Sequence, residues 1–218
     1  MAQLQIDIAV IGGGPQALTL ITHLLQKNKR MRERLSAGFS PGFRVFDPSG
    51  AWLTQWHDQF AAQEIAHLRS PAVHHPDCNP HNLRDFASER GNELYNPYSR
   101  PGTKLFRDFC ETVIARWHLR DQVTKAKVVD VLPLDRGVRL ALADGQTAIA
   151  RRAVMATGAA GANVPDWAKR LSGDPSSYPP ERLCHAQAVS LPDLPSLAGE
   201  TVLIVGGGLT SAHLAMGA

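Results

Sequence analysis

Two glycine-rich runs carry the residues of this chain whose spacing points to chemistry: VIGGGPQALTLITHLLQ (residues 10–26) and VLIVGGGLTSAHLA (residues 202–215). In the first, Gly12, Gly14 and Ala17 form a GxGxxA pattern. Gly12 permits a sharp turn, Gly14 lets an anion approach the backbone, and Ala17 fills the third small position. Pro15 suits the first turn of a helix, where its missing N–H is no loss. The unpaired amides of such a helix start, reinforced by the helix dipole, match a diphosphate.

A glycine turn works only between a strand and a helix, and the flanking residues supply both. IDIAVI (residues 6–11) is a β-branched apolar run of the kind that forms a buried parallel strand. Leu18, Ile21, Leu24 and Leu25 follow at helical spacing. A second strand, FRVFD, ends in Asp47, a carboxylate placed where such folds accept ribose hydroxyls. The alternative role for Asp47 is to form the turn before Pro48. Residues 30–42, RMRERLSAGFSPG, read as an inserted loop that carries Asp47 further along than the roughly 20 residues usual for this pattern.

From Val123 the pattern changes to short strands: VTKAKVVDVLPL, GVRLALA and TAIARRAVMATG. LDRG (residues 134–137) and ADGQ (residues 143–146) supply the turns, so a three-stranded meander is expected. It ends in AVMATGAAG (residues 153–161), whose small residues allow a ligand to touch the backbone.

Glycine turn, acid after the second strand, meander, the triplet Ala156-Thr157-Gly158, then a second glycine turn: this order resembles flavoproteins with two dinucleotide-binding domains. Within that group the chain is most similar to FAD-dependent, NADPH-using monooxygenases, including lysine and ornithine N-hydroxylases. GAWLTQWHDQF (residues 50–60) and HLRSPAVHHPDCNPHNLRDF (residues 67–86) resemble the segments that follow the ribose acid there. The resemblance implies an α/β protein: a Rossmann-like FAD-binding domain with a β-meander insertion (residues 1–171), a connector (172–199), and the start of a second, incomplete dinucleotide-binding unit (200–218).

The same resemblance implies site residues. Gly12, Gly14, Pro15 and Ala17 would hold the FAD diphosphate and Asp47 the adenosine ribose. Thr157 and Gly158 would line the flavin domain, and Trp52 would cover the cofactor or serve the core. Gly206, Gly208 and Ser211 form a GxGxxS after the expected strand TVLIV (residues 201–205), a turn for NADPH or NADH in the full-length form; alternatively it is only a packed strand and helix. In such enzymes the cofactors perform the oxidation of a small nucleophilic substrate, so no catalytic side chain need announce itself. A non-catalytic flavin- or nucleotide-binding regulator and an NAD(P)-dependent dehydrogenase are the alternatives, the meander and the ATG triplet disfavouring the last. Only AHLAMGA follows Ser211, which leads us to expect a fragment or a truncated product.

Other features are bounded more simply. The 218 residues are 44% hydrophobic with a formal net charge of +3, a balance that calls for no nucleic acid or membrane partner. Their densest basic run, Lys27 to Arg34, reads as a solvated helix end and basic loop rather than a site for an acidic partner. Cys78, Cys110 and Cys184 lie far apart without a CxxC, which fits a reducing cytoplasm. No basic n-region precedes residues 6–11, themselves far shorter than a membrane span. HHPDCNPH (residues 74–81) crowds potential ligands, but without paired metal-binding spacing it reads as a loop near flavin or substrate, with no metal expected. No GxSxG elbow is present. TKLFRDFCETVIARWHL (residues 103–119) reads as a core helix capped by Thr103, with Phe106, Phe109, Val113 and Trp117 on its buried face. The Pro- and Ser-rich residues 172–200 are expected to hold little regular structure.

Overall fold

The β-branched run at the start does form a strand, β1 (Gln5–Ile11), and the glycine turn does open a helix, α1 (Pro15–Lys27). The computed structural model of the protein describes residues 5–39, 41–73, 76–158, 162–172 and 183–217. They fall into two units, Met1–His57 with Ala66–Gly158, and Asp58–Ile65 with Ala159–Ala218.

In the first unit α2 (Lys29–Ser36) and β2 (Phe43–Asp47) follow. Next come α3 (Thr54–Ala62), whose end runs into the second unit, α4 (Asn82–Phe86), and the short hairpin β3 (Leu94–Tyr95) and β4 (Arg100–Pro101). The unit closes with α5 (Thr103–Arg116), β5 (Val123–Lys125), β6 (Val128–Leu134), β7 (Gly137–Leu142) and β8 (Thr147–Met155). Where a loop was expected after Lys29 there is a helix. Asn28 caps it by accepting the Met31 N–H at 3.1 Å, and Met31 and Leu35, four apart, bury against the core.

Six of these strands make one sheet in the order β5-β2-β1-β8-β7-β6. The first four run parallel and the last three form the antiparallel meander, with β8 belonging to both. The stretch VTKAKVVDVLPL is therefore not one meander strand. It divides into β5, which extends the parallel edge beside β2, and β6, which forms the far edge. Only Ala126 and Lys127 separate them, a reach of roughly 11 Å at most, whereas opposite edges of a flat six-stranded sheet lie about 24 Å apart. The sheet must curl until its edges approach.

That curl explains two cores. Ala9, Ile11 and Phe46 on one face meet Leu140 and Ala150 of the meander. Val10, Phe43 and Val45 on the other meet Leu18, Ile21 and Leu25 of α1 and Leu105, Phe106, Phe109 and Val113 of α5. Gly102, not Thr103, takes the cap position of α5, and Thr103 is its first helical residue.

Among its described residues the second unit holds α6 (Asp166–Ser172), two 3-10 stretches (Ala186–Ala188 and Leu191–Leu197) and α7 (Leu209–Gly217). Gln63, buried, joins its pieces: Nε2 donates to the carbonyls of Val189 (2.6 Å) and Ala186 (3.3 Å), and its backbone carbonyl accepts from His213 Nε2 at 2.6 Å. The expected strand at residues 201–205 does not form. Its composition suits a strand, but among the described residues no strand lies alongside to complete a ladder, and Val202, Leu203 and Val205 stand 50%, 84% and 67% exposed.

Candidate functional site

Parallel pairing brings the carboxyl ends of β1, β2 and β8 level, with Ile11 opposite both Phe46 and Met155. In open α/β sheets such a crevice is where ligands bind. The chain leaves β1 through Gly12, whose N–H donates to Phe46 C=O at 2.8 Å, while Ala156 N–H donates back to Ile11 C=O at 2.8 Å. Gly12 has φ +104°, and a Cβ there would lie 2.4 Å from the Ala156 carbonyl oxygen and 3.1 Å from Thr157 Cα. The glycine turn and the ATG triplet, 144 positions apart in sequence (from 12 to 156), are thus in contact.

Gly14 differs from Gly12. It is the N-cap residue of α1 at φ −78°, ψ −176°, angles open to any residue, and a Cβ built on it meets nothing within 4 Å. No side chain caps α1. Pro15 has no N–H, and the first amide to return into the helix is that of Leu18, which donates to Gly14 C=O at 3.1 Å. The amides of Gln16 and Ala17 thus face the space over the turn, where the helix dipole favours an anion. The fold does not require a glycine at position 14, but a phosphate seated on these amides would. A dinucleotide diphosphate fits this cradle. The Ala17 side chain, fully buried, lets α1 pack closely on the sheet.

Asp47 is placed beside this turn, and its carboxylate is already engaged. Oδ2 accepts the Gly13 N–H at 2.8 Å; Oδ1 accepts the Ser49 N–H at 2.9 Å and hydroxyl at 2.6 Å. Leu53 N–H donates to Gly13 C=O at 2.8 Å, so both polar groups of Gly13 are held, one by the last residue of β2 and one by the segment after it. Leu53 achieves this at φ +62°, an unfavourable conformation for a branched side chain, while fully buried in the core. The turn reading of Asp47 is present in its bonds to Ser49, and the same carboxylate lies at the end of β2 beside the glycine turn. Sequence spacing missed Gly13, whose bond to Asp47 spans 34 residues, and Ser49, which binds Asp47 from two residues away.

Of the other expected residues, Thr157 and Gly158 are exposed at the end of β8. Trp52 is a core residue: it is 7% exposed, packed in the helix-side cluster, and its Nε1 donates to Leu119 C=O at 2.8 Å. In the second unit, Gly206 and Ser211 are close, a Cβ on Gly206 lying 2.9 Å from Ser211 Oγ, and Ala212 N–H donates to Gly208 C=O at 3.2 Å as α7 begins. The second run is thus a glycine turn and a helix without its strand.

Within HHPDCNPH, His74 and His75 lie outside the described residues. Asp77, buried, accepts Arg116 NH1 at 2.7 Å and the Cys78 N–H at 2.6 Å. Burial and then the neighbouring Asp77 raise the Cys78 thiol above its ordinary range, and burial does the same to Cys110. Neither is disposed to act as a thiolate nucleophile.

Residues 9–160 match the model of the FAD-NAD(P)-binding family. Comparison with the curated proteins found no match. Among solved structures, L-lysine 6-monooxygenase from Pseudomonas syringae is 19% identical with a TM-score of 0.56, over 97% of this chain and 50% of that one. A cyclohexanone monooxygenase mutant from Rhodococcus sp. Phi1, bound to NADP+, is 17% identical with a TM-score of 0.51, over 74% of this chain and 28% of that one. At those identities the likeness is one of fold, and the chain spans half or less of either protein. The family match covers the glycine turn from within β1, the Asp47 loop, the curled meander and the ATG triplet, and on it the chain belongs to the FAD-NAD(P)-binding family.

Proposed function

We propose that the first unit binds FAD and that the protein is an FAD-dependent, NADPH-using oxidoreductase of the monooxygenase type, acting in the cytoplasm on a small nucleophilic substrate. The carrying observation is the uncapped start of α1 beneath an empty position at Gly14, at the point where β1, β2 and β8 end together. The amides of Gln16 and Ala17 bind the diphosphate, Asp47 accepts from the adenosine ribose, and Thr157 and Gly158 offer backbone at the far side of the turn. When bound, the flavin supplies the redox chemistry. The chain's own work is to bind and orient it. The turn at Gly206, Gly208 and Ser211 is assigned to the nicotinamide nucleotide.

This reading is tested by the colour of the purified protein and by anaerobic addition of NADPH and of NADH. A flavin spectrum is the expected result, bleached in the full-length protein by NADPH and more slowly by NADH; a colourless protein that cannot be loaded with FAD would overturn it. Val202, Leu203 and Val205, exposed and with no strand beside them among the described residues, favour one second reading, a flavin-binding regulator without turnover. That reading gives a flavin spectrum that neither nucleotide bleaches.

Asp47→Ala is expected to weaken FAD about tenfold or more, because a hydrogen bond to a charged acceptor contributes about 1.5–3 kcal/mol. Fluorescence titration checks it, and an unchanged dissociation constant would leave Asp47 only its turn with Ser49.

A further inference from the structure

Asp47 stands where a ribose is expected, yet its carboxylate has little room left. A carboxylate offers about four acceptor positions, two on each oxygen. On Oδ1 both are filled, by the Ser49 N–H at 2.9 Å and the Ser49 hydroxyl at 2.6 Å. The hydroxyl has one proton and two candidate acceptors, Asp47 Oδ1 and, at 3.1 Å, Ala51 C=O; the shorter, charge-assisted contact takes it. The Ser49 oxygen in turn accepts the Ala51 N–H at 3.1 Å, which holds the hydroxyl in that orientation. On Oδ2 one position is filled by the Gly13 N–H at 2.8 Å. One acceptor position remains, on the oxygen that abuts the glycine turn, 3.3 Å from where a Gly13 Cβ would be.

We infer that Asp47 reads only one of the two hydroxyls of the adenosine ribose, and that Ser49 is the positioning residue that makes it so. This rests on the FAD-binding reading and narrows it. An acid with both oxygens free would accept both hydroxyls of the diol. Here Ser49 occupies the oxygen that would take the second, and that hydroxyl is left to solvent. The site thus tolerates one change of the sugar and rejects the other.

The test is competition against FAD, followed by flavin fluorescence, with ADP, 2′-deoxy-ADP and 3′-deoxy-ADP as displacing ligands. In the unaltered protein one deoxy analogue is expected to compete within about twofold of ADP and the other to be about tenfold or more weaker, the loss of one charge-assisted hydrogen bond. Equal weakening of both analogues would overturn the inference, and so would indifference to both. In Ser49→Ala, Oδ1 regains a position, and the tolerated analogue should fall about fivefold behind ADP, a modest hydrogen-bond contribution. An unchanged ratio in that variant would remove Ser49 from the role. A purely structural Ser49 would shift all three ligands together and leave the ratios alone. Failure of ADP itself to displace FAD would remove the underlying reading as well, an outcome distinct from the others.

Discussion

A Gly12→Ala protein is expected to lose roughly 3–5 kcal/mol of stability, a large part of the 5–15 kcal/mol of an ordinary domain. Two costs add at one atom. The residue sits at φ +104°, which a side chain rarely adopts, and its Cβ would press on the Ala156 carbonyl oxygen at 2.4 Å, an atom held in the sheet by the adjacent Ala156 N–H to Ile11 bond. Neither neighbour can retreat, because the clash is with backbone. The midpoint of urea denaturation, measured without FAD, checks this. A midpoint within error of the unaltered protein would mean that β1 and β8 do not close against each other as described.

Gly14→Val, two residues on, is expected to fail in the opposite way. Nothing lies within 4 Å of the new Cβ and φ −78° suits it, so the fold should survive with a loss of about 1 kcal/mol for a poor N-cap residue. The flavin should not survive. Two methyl groups would stand where the diphosphate reaches the Gln16 and Ala17 amides, and two hydrogen bonds to a charged group, at about 1.5–3 kcal/mol each, correspond to a hundredfold or greater loss of affinity. Flavin absorbance retained through gel filtration, set beside the denaturation midpoint, reads both quantities. A folded Gly14→Val protein that keeps its flavin would show that the diphosphate lies elsewhere.

The sequence was legible where one segment decides its own structure. Apolar β-branched residues before Gly12, helical spacing after Pro15 and a small-residue end to β8 each announced an element, and together they located the crevice. It was misleading where the partner decides. Residues 201–205 have strand composition but no neighbour, so propensity was not enough. VTKAKVVDVLPL contains no glycine and no proline at its break, and only the different partners of β5 and β6 divide it. In α2 the basic residues hid the single pair, Met31 and Leu35, that anchors the helix. Trp52 and Gln63 were unreadable for a related reason: each is fixed by backbone carbonyls 67 or more positions away.

The dual membership of β8 also sets a timetable. Gln5 pairs with Ile149, so β1, the central strand of the parallel layer, cannot acquire that neighbour until nearly the whole of the first unit has been made. At ribosomal speeds of about 5–20 residues per second, the roughly 140 intervening residues take some 7–30 seconds to appear. Throughout that interval β1, α1 and β2 can assemble only half a sheet, with the apolar edge of β1 bare, the kind of edge that other chains join. The nascent protein therefore passes through a prolonged stage in which that bare edge, and not the finished core, is what neighbouring chains meet.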